Sequence, residues 1–588
     1  MSERTHEGHG RLPDEREQGD TADMTSRLRE HLAAFLSREA VPTEFVFVDT
    51  FPALPNGKVD RAALGRLAAA EAASEEPPQL PEVGAAPGDE VMTDDVDFLV
   101  RLFTKELSQA HIGLDEDLTR LGANSLVLVK VCAAWTDRTG RHVDGARLRR
   151  NPTIRNVLAC SSPPARDADN ADVVVDTHRF EVPLDHDDPA GPSITVFAQT
   201  VVRREAAGHH LPYLLFLQGG PGGQCPDPRN LIPKWLDAAL DRYQVVLLDQ
   251  RGCGRSSPVT TDSIAGLTAT AALERLRCFR ADAIVRDAEL LRERILRIPS
   301  WTLLGESYGG SIALTYLSHF PERIDRAFIS SGLIGPVSSA DDVLRDTLAM
   351  SKKKNAEYHE RYPDDEAVIE RIVDHLREHE VVLPTGDRLS PERLRMLGLK
   401  FGFDGGMEAV HDVIQTAWDG DDLTEAFVKA VAGTDMSSSP LFYLQEYIYG
   451  MPGCATRWAA DRLYADEPAF SDHARPFHFY GEVTFPWMFR QIGGLRPFAE
   501  VADELARYTG WTSLYDLPQL ARNTVPVYAV AAMDDLYVPA AQQFRTAQQI
   551  GSCWLFFSAD YNHAGLMNDR EGLARLLEFG SVPRTRRT

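Results

Sequence analysis

Trp301-Thr302-Leu303-Leu304-Gly305-Glu306-Ser307-Tyr308-Gly309-Gly310 decides the fold of most of this chain. An apolar strand-like run enters a Gly-x-Ser-x-Gly turn, the sharp bend that lifts a serine hydroxyl to a helix N-terminus. Alone the pattern is weak, because small residues at turns produce it by chance. Its surroundings strengthen it. Strand-like runs at 213–218, 243–249, 327–331, 525–532 and 553–557 alternate with helical patterns, which points to an α/β sheet. About 85 residues before Ser307 stands Gln218-Gly219-Gly220-Pro221-Gly222-Gly223, a turn whose backbone can approach a substrate oxygen because most of its residues lack a Cβ. A serine nucleophile at such a turn needs an acid and a base in the order Ser, Asp, His. Asp534 and Asp535 at a strand end, then His563 after the last apolar run, supply that order.

Four strings extend the pattern: Glu181-Val182-Pro183-Leu184-Asp185, Gly219-Gly220-Pro221-Gly222, Asp249-Gln250-Arg251-Gly252-x-Gly254-x-Ser256 and Gly305-Glu306-Ser307-x-Gly309-Gly310. Together they resemble the proline iminopeptidase family of α/β-hydrolases over about residues 178–580. The resemblance implies an α/β-hydrolase fold in which Ser307 attacks an acyl carbon, His563 takes the proton and an aspartate fixes the imidazole tautomer. By its place in Asp535-x-x-x-Pro539, Asp535 matches the family's acid and Asp534 is its neighbour. Backbone N–H groups of Gly219, Gly220 and Tyr308 are the implied oxyanion hole.

Between the two halves of the sheet, residues 335–517 are far too many for a loop. Charge patterns over 341–361, 364–378 and 421–431 make this insert a helical cap over the active site. Its later part is aromatic, and Glu446 and Glu482 are embedded there. A carboxylate in apolar surroundings needs a partner. Two readings stand: the acids receive a substrate's free ammonium group, as cap acids do in related peptidases, or they form structural salt bridges with residues such as Arg457 or Arg490.

Ahead of the hydrolase, residues 96–159 read as a small helical bundle, with Phe98, Leu99, Leu102 and Phe103 at helical spacing. Asp115, Glu116 and Asp117 precede Leu121-Gly122-Ala123-Asn124-Ser125-Leu126, and Asn151-Pro152-Thr153-Ile154 opens a late helix. A serine at a helix start is by default an N-cap. The whole pattern, over roughly 95–160, is similar to peptidyl carrier domains. That resemblance implies a 4′-phosphopantetheine arm on Ser125, installed by a phosphopantetheinyl transferase; a helix N-terminus also suits the attached phosphate. Earlier still, Leu54-Pro55-Asn56-Gly57-Lys58-Val59-Asp60-Arg61 resembles the end of the C-terminal subdomain of nonribosomal peptide synthetase adenylation domains, over about 25–68. The adenylation core is missing from this chain, so Lys58 is either a relic or completes an adenylation enzyme supplied by another chain.

The domain organisation expected is therefore a disordered N-terminus (1–24), a short α+β adenylation-subdomain remnant (25–70), a linker (71–94), a carrier bundle (95–160), a linker (161–175), the first half of the hydrolase core (176–334), the cap (335–517) and the second half of the core (518–588). With 588 residues and a formal net charge of -25, the chain lacks the basic face that nucleic acid requires. It shows no apolar run of the roughly 20 residues that span a bilayer and no apolar signal core at its N-terminus. Seven scattered cysteines form neither a disulfide framework nor a zinc pattern. The chain reads as cytoplasmic and metal-free.

The leading function from sequence is a serine hydrolase or acyltransferase of nonribosomal peptide biosynthesis, acting on a carrier-bound aminoacyl or peptidyl group, possibly a thioester on its own Ser125. The alternative is a proline-iminopeptidase-like aminopeptidase that trims an N-terminal residue. A third, of another class, is a non-catalytic carrier and docking scaffold.

Overall fold

The computed structural model describes residues 93–106, scattered positions between 112 and 159, and residues 172–335 and 338–581. Lys58 and Ser125, with the adenylation-subdomain reading, lie outside the described residues. The described residues fall into two compact units, on either side of the 164/165 boundary. In the first, helix α1 (Thr93–Glu106) and helix α2 (Ile154–Ala159) belong to a small core that contains Leu99, Phe103, Val131, Trp135, Leu148 and Val157. The helix starts at Thr93, inside the stretch expected to be linker, because Leu99 and Phe103 four residues apart give it a face to bury.

The second unit is built on one eight-stranded sheet: β1 (Val173–Pro183), β2 (Ser193–Arg203), β3 (Tyr213–Leu217), β4 (Gln244–Asp249), β5 (Trp301–Glu306), β6 (Ile324–Ser330), β7 (Val527–Ala532) and β8 (Cys553–Ser558), in spatial order β1-β2-β4-β3-β5-β6-β7-β8. From β4 to β8 all pairings are parallel, while β1 and β2 form an antiparallel edge. Parallel strands covered on both faces must be apolar throughout. Accordingly β7 is buried along its whole length. β1 lies at the sheet's edge, where Val173 and Val182 are buried and the residues between them are half-buried or exposed, so it shows no continuous apolar run. It begins at Val173, which is buried, and so takes over the end of the stretch expected to be linker.

Helix α3 (Tyr308–His319) follows β5, and helix α4 (Ala340–Arg361) opens the cap after β6. The first half of the cap continues with α5 (Asp365–Glu378) and ends with α6 (Glu425–Ala432). Where the charge pattern predicts a helix from 421, Asp422–Leu423 instead pairs antiparallel with Trp418–Asp419. Gly420 has a positive φ and allows the turn, and the helix starts only after Thr424, whose hydroxyl accepts from Phe427 N–H. The second half of the cap is short helices and coil packed around aromatic rings, and Tyr447, Tyr480, Phe485 and Phe489 join the same core as Tyr308 and Ile312 of α3. Among the described residues no helix is long and apolar enough to cross a membrane.

Candidate active site

Ser307 sits at the turn between β5 and α3 with φ 52° and ψ −122°, a left-handed backbone that side chains rarely adopt. Two bonds hold the turn: Ser307 N–H donates to Ser330 O (3.0 Å) and Gly310 N–H to Ser307 O (2.8 Å). Gly309 is required there because a Cβ would run into the carbonyl oxygen of Leu217. The Gly-rich loop also approaches the serine, since a Cβ on Gly219 would stand 3.1 Å from that of Ser307. Gln250 braces this loop by donating to Gln218 O (2.9 Å). Behind it the buried Asp249 accepts from Cys225 N–H, Arg255 N–H and the Arg255 side chain. Arg251 is buried in full and pairs with Asp287.

At the end of β7, Asp535 is wholly buried and accepts from the N–H groups of Tyr537 (2.9 Å) and Val538 (3.0 Å). Both its oxygens lie 2.9 Å from His563 Nδ1. Its neighbour Asp534 takes the other direction and pairs with Lys353 and Lys354 of α4. Of the two aspartates the sequence offers, it is Asp535 that meets the histidine. Burial opposes a charged imidazole at His563, but Asp535, then Glu482 and Glu306, outweigh it and raise its pKa. The Tyr537 ring stands edge-on to it at 4.8 Å.

The structure separates the two cap acids. Burial raises the Glu482 carboxyl to about 7; His563 pulls it down and Asp535 pushes it up, which places it in the electrostatic field of that pair. Gln445 donates to it at 3.1 Å. Glu446 is the more buried of the two, and burial raises its pKa, but it is occupied inside the cap by the Thr456 hydroxyl and by Trp458 N–H (3.2 Å). Among the described residues neither acid pairs with Arg457 or Arg490; the carboxylate beside Arg490 is that of Asp503. The salt bridges entertained from sequence do not form.

Glu306, part of the Gly305-Glu306-Ser307-x-Gly309-Gly310 string, receives no role from the sequence. Burial raises its carboxyl while His563 acts against the rise. Its only signal was an acid at the end of an otherwise apolar strand. A cavity of about 640 Å³ elsewhere in the cap is lined by Arg377, Arg388, Arg395, Arg490 and Arg496 and contains none of Ser307, Asp535 or His563.

Residues 212–382 match the α/β hydrolase fold family. The chain is 39% identical over 398 residues to a proline iminopeptidase of Aeromonas sobria, spanning 67% of this chain and 93% of that protein. It is 35% identical over 387 residues to a proline iminopeptidase of Aspergillus aculeatus, 63% of this chain and 86% of the relative. A third match, 30% identical over 140 residues, is to a dimodular nonribosomal peptide synthase of Bacillus subtilis; it covers 24% of this chain but 5% of that protein.

Proposed function

The chain belongs to the proline iminopeptidase family of α/β-hydrolases, and from that premise we propose that it is a serine aminopeptidase that releases an N-terminal residue from a substrate with a free α-amino group. Among the readings drawn from sequence, the relatives favour this one over a thioesterase. The observation that carries the specificity is Glu482, a cap carboxyl in the field of His563 and Asp535. With Nδ1 committed to Asp535, His563 has Nε2 left to take the Ser307 proton as Oγ attacks the first carbonyl carbon. Backbone N–H groups of Gly220 and Tyr308 meet the oxyanion, with Gly219 packed against Ser307. The imidazolium then protonates the leaving nitrogen, the C–N bond breaks, and an acyl-serine remains. Water, deprotonated by His563, releases the amino acid and restores Ser307. Glu482 holds the ammonium group during both steps.

The test is hydrolysis of a prolyl arylamide against its N-acetyl form, alongside labelling by a fluorophosphonate. Labelling at Ser307 with a strong preference for the free amine is expected. An unlabelled Ser307 would leave the non-catalytic scaffold reading in place.

The match to a peptide synthase, with the Leu121–Leu126 string, favours a second reading of how substrate arrives. In it, an adenylation enzyme on another chain supplies an aminoacyl or peptidyl group to a 4′-phosphopantetheine arm on Ser125. Tethering raises the effective concentration of that group without new contacts. Intact mass after treatment with a phosphopantetheinyl transferase should show one added arm, lost in Ser125→Ala. No gain on the wild type refutes this reading and leaves the aminopeptidase.

A further inference from the structure

Three consecutive residues of α4 have work that the proposed chemistry does not use. Lys353 and Lys354 both pair with Asp534, and each also lies near Glu357, at 3.3 and 3.2 Å. Lys353 is half exposed, a setting in which an ion pair contributes little. Lys354 differs: its side chain is 9% exposed, and burial lowers its pKa while Glu357 and Asp535 oppose the shift. Asp534 is joined by one peptide bond to Asp535. Lys354 thus anchors the residue next to the one that orients His563, and its ammonium also lies in the field of Asp535.

Asn355 follows, fully buried. Successive helical residues point about 100° apart, so it faces a different segment. Its side chain clasps one residue from both sides: Nδ2 donates to Phe479 O (2.9 Å) and Oδ1 accepts from Phe479 N–H (2.6 Å). The second Nδ2 proton goes to Ser351 O (2.8 Å), so both donors of the amide are committed. Phe479 is three residues before Glu482.

The two segments touch each other as well. A Cβ on Gly481 would lie 3.3 Å from Leu536 Cδ1, and Leu536, Tyr537 and Val538 share a core with Tyr358, Phe401 and Phe479. The Tyr537 hydroxyl donates to Leu399 O. The acid-bearing loop of the sheet is thus packed into the cap, with α4 gripping both sides of the contact.

We propose that Lys354 and Asn355 are positioning residues: Lys354, through Asp534, sets the Asp535–His563 pair, and Asn355, through Phe479, sets the Glu482 carboxylate. One turn of one cap helix then fixes the distance between the groups that break the bond and the group that holds the ammonium. The proposal rests on the aminopeptidase reading of Ser307, His563, Asp535 and Glu482.

The two arms make different kinetic predictions. Placement errors on the ångström scale cost up to about 100-fold in rate, and a partial loss is expected here because each segment keeps other contacts. On a prolyl arylamide, Lys354→Met should lower kcat on the order of tenfold and move KM less than threefold, with Lys354→Arg recovering most of the rate. Asn355→Leu should raise KM on the order of tenfold and move kcat less than threefold. Should Asn355→Leu fail to fold, Gly481→Ala perturbs the same segment, since its methyl group would stand 3.3 Å from Leu536 Cδ1, a few tenths of an ångström tighter than an ordinary contact. Glu482→Gln, measured beside them, separates the two levels of argument. If it leaves KM unaltered, the ammonium-binding reading itself is wrong. If it raises KM while Asn355→Leu and Gly481→Ala do not, or if Lys354→Met changes melting temperature alone and Lys354→Arg behaves like it, the positioning role is overturned and the reading of the site survives.

Discussion

Asp535 on the sheet and Glu482 in the cap both act on His563, yet they are held in different ways. Asp535 accepts from two backbone N–H groups of its own loop and from the imidazole. Glu482 accepts, among the described residues, from the side-chain amide of Gln445. A carboxylate offers about four lone-pair sites, so the sheet acid is largely spoken for and the cap acid retains capacity for a ligand. Burial raises the second to about 7, with His563 and the Gln445 amide offsetting only part of the rise. On the proposed aminopeptidase reading, the sheet supplies a finished device and the cap an unfinished one that the substrate's ammonium group completes.

The largest effects should come from the sheet. Ser307→Ala is expected to lower kcat/KM on the order of 10³-fold or more, leaving what the oxyanion hole and binding provide. Asp535→Asn should approach a loss of about 10⁴-fold, because an amide at that position favours the wrong imidazole tautomer. Asp534→Asn should cost far less, since its partners are Lys353 and Lys354 and not the histidine. Steady-state kinetics on purified variants decides this; an Asp534 loss exceeding that of Asp535 would exchange their roles.

The cap comes next. Glu482→Gln should cost about 1.5–3 kcal/mol in the transition state for a free-amine substrate, the range for a hydrogen bond to a charged group. With an N-acetylated substrate the same variant should show no such loss. Glu446→Gln should leave the preference for a free amine in place and lower stability by about 1–3 kcal/mol, because its partners Thr456 and Trp458 are structural and buried. Denaturant unfolding together with kcat/KM for the two substrates separates these outcomes. Equal turnover of free and acetylated substrates by all three proteins would make both cap acids structural.

The same contrast explains what could be read from sequence. Ser307, Asp535 and His563 each follow a strand of the parallel sheet, and such strands appear as continuous apolar runs. The edge strand β1 was not legible as a strand, because polar residues on both of its faces, Asp176 and His178 on one and Arg179 and Glu181 on the other, break the run. Local pattern leaves Asp534 and Asp535 alike, since one peptide bond separates two identical side chains; the family resemblance points to Asp535 through Asp535-x-x-x-Pro539, and Asp535 is the one that meets His563. In the cap, helices α4 and α5 were legible from their charge pattern, but that pattern also hid Lys354 and Asn355. A lysine on a charged helix reads as solvated; its burial depends on Asp534, 180 residues away. Glu446 and Glu482 looked equivalent, for nothing local reveals that Thr456 and Trp458 satisfy only the first.

The smallest effect expected is a shift in pH dependence. Below about 7 Glu482 becomes protonated and loses its attraction for an ammonium group; His563, whose pKa is raised by Asp535, takes up its own proton on the acid side and then cannot act as base. Both changes lower kcat/KM on the acid side. On the alkaline side a free α-amino group loses its proton near 7.7–8.0 in ordinary peptides, so a free-amine substrate should give a narrow bell. A neutral ester should lack the alkaline fall and retain the acid limb, which then reports His563. Glu482→Gln removes a negative charge that favours the imidazolium; less stabilisation of the charged form lowers its pKa. The ester's acid limb should therefore move to lower pH in Glu482→Gln and stay in place in Glu446→Gln, which has no such influence on His563. A limb that moves upward, or moves equally in both variants, would mean that Glu482 does not face the catalytic pair, and the division of labour between sheet and cap would have to be redrawn.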